Sequence, residues 1–225
     1  MTKAALMGDI FVVDDAFGDT NKVDVVWNRD IGSSFLDILA TKLKHKGYAF
    51  DRTMLSSVGL MVARNQLFKY AKTFEDQQMP EASLLSGSPP FYLNEELQID
   101  TVAKQSIESI YRSLIQVSME GGPEHVVIQD AATLGERSGL NYLCVFFIGG
   151  FNVPFTQRIK DGQQSYGQTV GGVGIERISR VSIAFYIIDT AAGELIWADH
   201  QQITGGIIYL EKLEQLATDI VERRP

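Results

Sequence analysis

The chain has one cysteine and three histidines among its 225 residues, and both shortages restrict the chemistry available to it. With Cys144 alone, no disulfide forms within the chain, and cysteine usage says little about the compartment. Cys144 lies in an apolar run, which predicts a small hydrophobic core residue rather than a reactive thiol. His45, His125 and His200 lack the spacing of metal ligands, so we interpret each as a surface or structural residue.

Long apolar runs and positive charge are also scarce. No stretch approaches the ~20 consecutive apolar residues of a membrane span, and the start, MTKAALMGD, lacks the apolar core of a secretory leader. We therefore expect either a cytosolic protein or a mature or engineered chain whose leader is absent. The net charge of −8 argues against a nucleic-acid partner. The one tight basic cluster falls at the end of a predicted helix, where it complements the helix dipole: Lys42, Lys44, His45 and Lys46.

Familiar catalytic motifs are missing. The sequence has no Gly-x-Ser-x-Gly, His-Glu-x-x-His or Cys-x-x-Cys. The glycines Gly171, Gly172 and Gly174 suggest a phosphate loop, but no Gly-Lys-Ser/Thr follows and a strand comes next, which favours a flexible hairpin tip.

Acidic residues give two further candidates. Asp14 and Asp15, with Asp19 nearby, follow the first predicted strand, where doubly wound sheets place ligands. They are candidates for cation binding, although a solvated turn is the simpler interpretation. Glu194 and Asp199 lie on the same predicted strand, and their separation gives no reason to prefer an acid pair over two solvated carboxylates. We expect no catalytic residues, no metal and no cofactor; a hydrolase whose residues meet only in the fold is a weaker alternative.

Alternation of apolar residues predicts the architecture. Val181, Ile183, Phe185 and Ile187 have the period of a half-buried strand. The Asp189–Gly193 turn and a second strand, with Leu195 and Trp197 on one face and Ile196 on the other, complete a hairpin. Continuous apolar runs at 10–13 and 142–148 predict central strands.

The remaining elements alternate with these strands. A helix is predicted from Asp30, capped by Asn28 or Asp30 and stopped by Gly47, before a strand that begins at 48–50. The residues at 54–63 are ambiguous between strand and helix. Further helices are predicted at 66–78, 94–119, 126–138 and 207–223. This order predicts one α/β domain over 1–225, with a mixed sheet covered by helices and the last helix packed on the hairpin. Loop insertions are expected at about 79–93 and 150–175.

Large apolar side chains in these two predicted insertions are candidates for binding a partner. Exposed aromatic residues in loops often anchor protein contacts, although residues of this kind also fold back over a core. The candidates are Phe91, Tyr92, Phe151, Phe155 and Tyr166.

Three motifs resemble a group of bacterial envelope domains. A strand ending in Asp precedes a helix that ends Leu-Lys-His-Lys-Gly-Tyr at 43–48. A helix leads into Gly-Leu-Asn-Tyr-Leu at 139–143, and the hairpin has Ile-Asp-Thr-Ala-Ala-Gly-Glu-Leu-Ile-Trp at 188–197. These are similar to relatives of the curli secretion lipoprotein CsgG, of the TolB N-terminal domain, and of the flagellar and penicillin-binding-protein-activator lipoproteins. A related putative-lipoprotein family of unknown function looks closest.

This resemblance implies a non-catalytic periplasmic or outer-membrane-associated module that assembles, often as rings, or docks onto envelope machines. The implied partners are other envelope proteins or further copies of the chain, with membrane contact only through a lipid anchor that this chain lacks. The 150–175 excursion lacks the strands of a pore hairpin, and no propeller follows the last helix. The alternative is a cytoplasmic small-ligand or nucleotide-binding α/β protein that uses Asp14, Asp15 and the 171–174 glycines.

Overall fold

Two apolar runs form the middle of one sheet, because a strand covered on both faces needs apolar side chains on both. The computed structural model describes residues 3–14, 25–60, 91–93, 100–120, 126–152, 179–204 and 210–223. Strand β1 (Ala4–Asp14) lies between β2 (Phe50–Val58) and β4 (Tyr142–Asn152) and runs parallel to both. The predicted central strands are confirmed, and the ambiguous stretch is strand up to Val58.

Three more strands complete a mixed sheet. The two-residue strand β3 (Phe91–Tyr92) pairs antiparallel with β2, and β5 (Arg180–Asp189) and β6 (Glu194–Thr204) continue antiparallel from β4. The strand order is β3-β2-β1-β4-β5-β6. The predicted α/β class with a mixed sheet is therefore confirmed.

Helices cover both faces of this sheet and give it two apolar cores. Helices α1 (Val25–His45) and α4 (Leu210–Arg223) supply one core, and α2 (Thr101–Glu120) and α3 (Gln129–Ser138) supply the other. The first core includes Leu6, Phe35, Leu39, Phe146, Phe185 and Leu213. The second includes Met7, Tyr111, Leu114, Ala131, Val145 and Ile188. Because the two flanking layers lie on opposite faces, β1, β4 and β5 are buried on both sides.

The beginnings of three helices differ from their predicted positions. Helix α1 begins at Val25 rather than Asp30, and Asn28 is a buried residue within it instead of its cap. Asp100 caps α2, because its carboxylate accepts the backbone N–H groups of Val102 and Ala103, each at 3.0 Å. Helix α3 begins at Gln129, since residues 126–128 are extended and bridge to β6.

The hairpin of β5 and β6 is confirmed, with one correction to its faces. Gly193 closes the turn at φ +69°, a conformation that favours glycine. The pairing then shifts register, with Ile187 opposite Trp197 and Ile188 opposite Leu195. Ile196 is the extra residue of this bulge. The prediction that Leu195 and Trp197 share a face is therefore wrong: Leu195 belongs to the core under α2 and α3, and Trp197 packs on the opposite one.

Both predicted insertions have strand at one end. Phe91 and Tyr92 pair with β2, and β4 continues through Phe151 to Asn152, so these residues are not in loops. Backbone pairing with a neighbouring strand explains both corrections, because hydrogen bonding between distant segments overrides the local turn signals. The predicted helix at 66–78 and the rest of both insertions lie outside the described residues.

The last helix packs as predicted. Helix α4 lies against α1 and β6, and Lys42 of α1 and Glu214 of α4 form an ion pair at 3.8 Å. Strands β1, β2 and β4 finish at one end of the sheet. The opposite end carries four short connections: 46–49, 139–141, the hairpin turn, and the bridge from 126–128. We call the end where β1, β2 and β4 finish the carboxyl end of the sheet.

Candidate functional site

The strand order reverses at the carboxyl end between β1 and β4. From β1 the chain passes through α1, on one face, to reach β2. It then passes through α2 and α3, on the other face, to reach β4 on the opposite side of β1. Parallel strands whose crossovers leave in opposite directions leave a crevice between them, where α/β proteins commonly bind ligands. The β1–β4 junction is such a switch point.

The backbones of three of the five predicted partner-binding aromatics lie at this end. Phe91 and Tyr92 lie opposite Val58 and Ser57, the last residues of β2. Phe151 lies beside Val13, near the end of β1, and opposite Arg180. Strands β3, β2, β1 and β4 are successive neighbours in the sheet, so three residues from two distant segments share one border of the fold. Phe155 and Tyr166 lie outside the described residues.

The residues of the alternative ligand site are only partly placed. Asp14 is the last residue of β1 and lies beside Asn152 of β4, so its backbone is at the switch point. Ligands in doubly wound sheets commonly bind after a strand at this position. Asp15, Gly171, Gly172 and Gly174 lie outside the described residues.

A buried carboxylate lies just inside the carboxyl end. Asp9 of β1 is 1% exposed, and its Oδ1 accepts the Ser57 hydroxyl at 2.7 Å and the backbone N–H of Leu60 at 3.1 Å. Burying a carboxylate is costly unless hydrogen bonds replace its water. These two bonds therefore stabilise Asp9 and hold the residues that follow β2 against β1.

A second hydroxyl pair connects this region to α2. Ser56 donates its one proton to the Gly8 carbonyl at 2.7 Å, so the Tyr111 hydroxyl must donate to Ser56 Oγ. The Ser56 and Ser57 oxygens are 3.3 Å apart. The Ser56 and Ser57 hydroxyls both lie on the α2 side of the sheet. This is possible because the β1–β2 register shifts between Gly8 and Asp9, which makes Ser56 an extra residue of β2. The tail of β2 is thus tied to both β1 and α2.

This buried network is absent from the predictions made from the sequence. A usable signal was present, because Asp9 is a lone charged residue inside the apolar stretch from Leu6 to Val13. A charge in a strand buried on both faces requires hydrogen-bonding partners. Ser57 is three positions from Leu60 in the sequence, but only the fold brings both to Asp9.

Comparison with known proteins gives distant structural likenesses. No family model matches the chain, and no curated protein does. The solved structure of lipoprotein GNA1162 from Neisseria meningitidis aligns over 99% of this chain and 97% of its own, at 11% identity and a TM-score of 0.34. Two structures of the PelC dodecamer from Paraburkholderia phytofirmans align over 98% and 97% of this chain and 82% and 81% of theirs, at 13% and 12% identity and TM-scores of 0.32 and 0.33.

The other residues considered from the sequence are dispersed. Cys144 is buried, and burial raises the pKa of its thiol to about 12, as expected of a core residue. His45 and His200 are exposed, and His125 lies outside the described residues. Glu194 is exposed, while Asp199 accepts a hydrogen bond from Gln201 at 2.8 Å. Within the described ranges, no three His, Cys, Asp or Glu side chains group as metal ligands would.

None of the helices in the described part of the chain combines the length and the apolar character needed to cross a membrane.

Proposed function

We propose that this chain is a non-catalytic binding or assembly module of the bacterial cell envelope that acts through protein–protein contacts at the carboxyl end of its sheet. The motifs at 43–48, 139–143 and 188–197 support the envelope assignment, because they resemble those of envelope lipoprotein domains. The specific likeness to CsgG and the TolB N-terminal domain remains part of this proposal, as does attachment to the outer membrane.

One observation carries the choice of surface. Phe91, Tyr92 and Phe151 come from segments far apart in the sequence, yet their backbones lie at the same end of the sheet. Aromatic residues are over-represented among those that dominate binding energy at protein interfaces. The buried Asp9–Ser57 bond fixes the strand opposite Tyr92, so the surface rests on a rigid base.

The envelope assignment is tested by the mass of the N-terminal peptide of the native protein, isolated from fractionated source cells. We expect an acylated cysteine ahead of this sequence, recovered with the membrane fraction. An unprocessed methionine in the cytosolic fraction would contradict the envelope assignment.

The proposed surface is tested by cross-linking in the source cells. Changing Phe91 and Phe151 together to Ala should reduce cross-linked partner at least about tenfold, the loss typical of an interface anchor. Phe50→Ala is the matched control, because Phe50 is half-buried at the other end of β2. The melting temperature of each variant is measured in parallel. A large fall in melting temperature for the double variant would instead make these residues part of the core.

A second candidate, binding of a nucleotide or another small ligand, is favoured by the switch point itself. Asp14 lies beside Asn152 where the crossovers diverge, which is the usual ligand position in such sheets. The test is a thermal-shift screen with ATP, GTP and Mg²⁺. An upward shift that Asp14→Ala abolishes, and that Asp51→Ala at the far end of β2 preserves, supports ligand binding. No shift with any of these probes rejects it.

A further inference from the structure

The two edges of the sheet differ in how they are protected from pairing with another strand. Strand β2 is covered by β3 at the carboxyl end and carries exposed Asp51 and Arg52 at the other. Strand β6 contains no lysine, arginine or proline, which discourage edge strands from pairing, and its bulge lies at Ile196, the beginning of the stretch that follows. In the part of the chain that the structure describes, the backbone of residues Ile196 to Thr204 pairs with no strand except β5, and the His200 N–H also donates to Asp199 Oδ1 at 2.9 Å.

The beginning of the same edge already accepts another strand. Residues 126–128 lie antiparallel to it, with Ile128 N–H donating to the Gly193 carbonyl at 2.6 Å and Leu195 N–H donating to the Val126 carbonyl at 3.1 Å. This pairing stops at Leu195 because the chain turns into α3 at Gln129. The edge geometry therefore permits strand addition, and among the described residues no other strand covers the stretch from Ile196 onwards.

We propose that this stretch of β6 pairs antiparallel with the same stretch of a second copy, about a two-fold axis at His200. The register follows from the free length. A strand that pairs fully with itself must be centred on its midpoint, and the midpoint of residues 196–204 is residue 200. Closed two-fold pairs are the commonest protein assemblies, since one self-complementary patch serves both copies.

The side chains of β6 are self-complementary in this register. Trp197 and Ile203, both half-buried on the α4 side of the sheet, fall opposite each other across the axis. Aromatic and β-branched residues are favourable cross-strand partners. Asp199 falls opposite Gln201 of the second copy, so the carboxylate meets the amide donor that it already binds at 2.8 Å within its own strand. No two acidic residues meet, despite the net negative charge of the chain.

Thiol cross-linking of the full chain tests this register. In His200→Cys the two thiols lie opposite each other on the axis, at the separation of directly paired strand residues. In Gln202→Cys, also exposed on β6, each thiol instead faces Ala198 of the second copy. Cys144 gives no background because it is fully buried. We expect oxidation or a short bis-maleimide to link His200→Cys into dimers at least about tenfold faster than Gln202→Cys. Equal rates, or no linkage of either, would overturn the proposal.

Solution mass provides the second measurement. The unmodified chain should have twice its 25.0 kDa mass by light scattering after size exclusion. His200→Lys places two like charges opposite each other and should give the single-chain mass, whereas the same change at exposed His45 on α1 should leave the dimer intact. A single-chain mass for the unmodified protein, or a dimer that survives His200→Lys, contradicts the pairing.

This inference is independent of the proposed function. The partner surface lies at the carboxyl end, and its test measures the effect of Phe91 and Phe151, neither of which is in β6. Undiminished cross-linking of the partner by the Phe91 and Phe151 double variant contradicts the proposed surface, whereas failure of the His200→Cys cross-link contradicts the pairing of β6. The two failures are therefore distinguishable.

Discussion

The side-chain amide of Asn28 hydrogen-bonds both backbone groups of Val12. Asn28 Oδ1 accepts the Val12 N–H at 2.8 Å, and Asn28 Nδ2 donates to the Val12 carbonyl at 2.9 Å. Strand β2 finishes opposite Ile10, so it no longer pairs with β1 at this position. One amide of α1 thus replaces a neighbouring strand and fixes the beginning of the helix against the carboxyl end of β1.

Replacing Asn28 should therefore destabilise the protein strongly. Asn28→Leu leaves the buried N–H and C=O of Val12 without these bonds, and we expect a loss of about 2–4 kcal/mol in the free energy of unfolding. Urea denaturation measures it. Gln105→Leu, at an exposed position of α2, is the control and should change stability by less than about 0.5 kcal/mol. A loss as small as the control's would show that water replaces the amide.

Asp9 and Ser57 should be energetically coupled. Asp9→Ala removes the acceptor of one buried and one part-buried hydrogen bond and should cost about 2–4 kcal/mol, while Ser57→Ala should cost about 1 kcal/mol. Because the two residues share a bond, the double variant should lose less than the sum of the single losses. Strict additivity in the urea denaturation of all three variants would contradict the network. Asp51→Ala, at an exposed position, is the control.

Gly8 should not tolerate even a methyl group. A Cβ added there would lie 2.1 Å from Cζ of Phe146, whose ring packs edge-on against Phe35 at a centroid distance of 5.1 Å. Such overpacking costs about 1–3 kcal/mol. Gly149→Ala is the matched control, because the nearest atom to its added Cβ is the Phe11 carbonyl oxygen at 3.9 Å.

Phe146→Leu should partly rescue Gly8→Ala, since the shorter side chain gives up the space that the methyl needs. If Gly8→Ala is no less stable than Gly149→Ala in thermal unfolding, strands β1 and β4 tolerate more movement than their close packing indicates.

Cys144 should make stability fall at high pH. Burial raises the pKa of its thiol from 9.0 to about 12, so above pH 9 the unfolded chain loses this proton while the folded chain retains it. The folded state then binds more protons, and its stability decreases as the pH rises from about 9 towards 12. The difference in stability between the natural chain and Cys144→Ala should change with pH in this range and stay constant below it.

The same burial should protect Cys144 from thiol reagents at pH 8. We expect labelling only after addition of urea, at the concentration where the protein unfolds. Fast labelling of the folded protein would mean that the sheet opens locally at β4.

The sequence by itself determined the elements whose signal is local. Continuous apolar runs at 10–13 and 142–148 identified the central strands, because a strand covered on both faces needs apolar side chains on both. Alternation and the glycine turn identified the β5–β6 hairpin, and Gly139 marked the end of α3. The alternation of strands and helices was sufficient for the fold class.

Tertiary structure decided everything that depends on a distant partner. Asn28 resembles a helix cap in sequence, and only its proximity to Val12 makes it a substitute strand. Phe91 and Tyr92 follow two prolines and resemble a loop, yet backbone bonds to β2 make them strand. For the candidate site, the sequence supplied the aromatic residues. The strand order alone brought Phe91 and Phe151 to one end of the sheet, because a pairing between remote segments leaves no periodic trace in either of them.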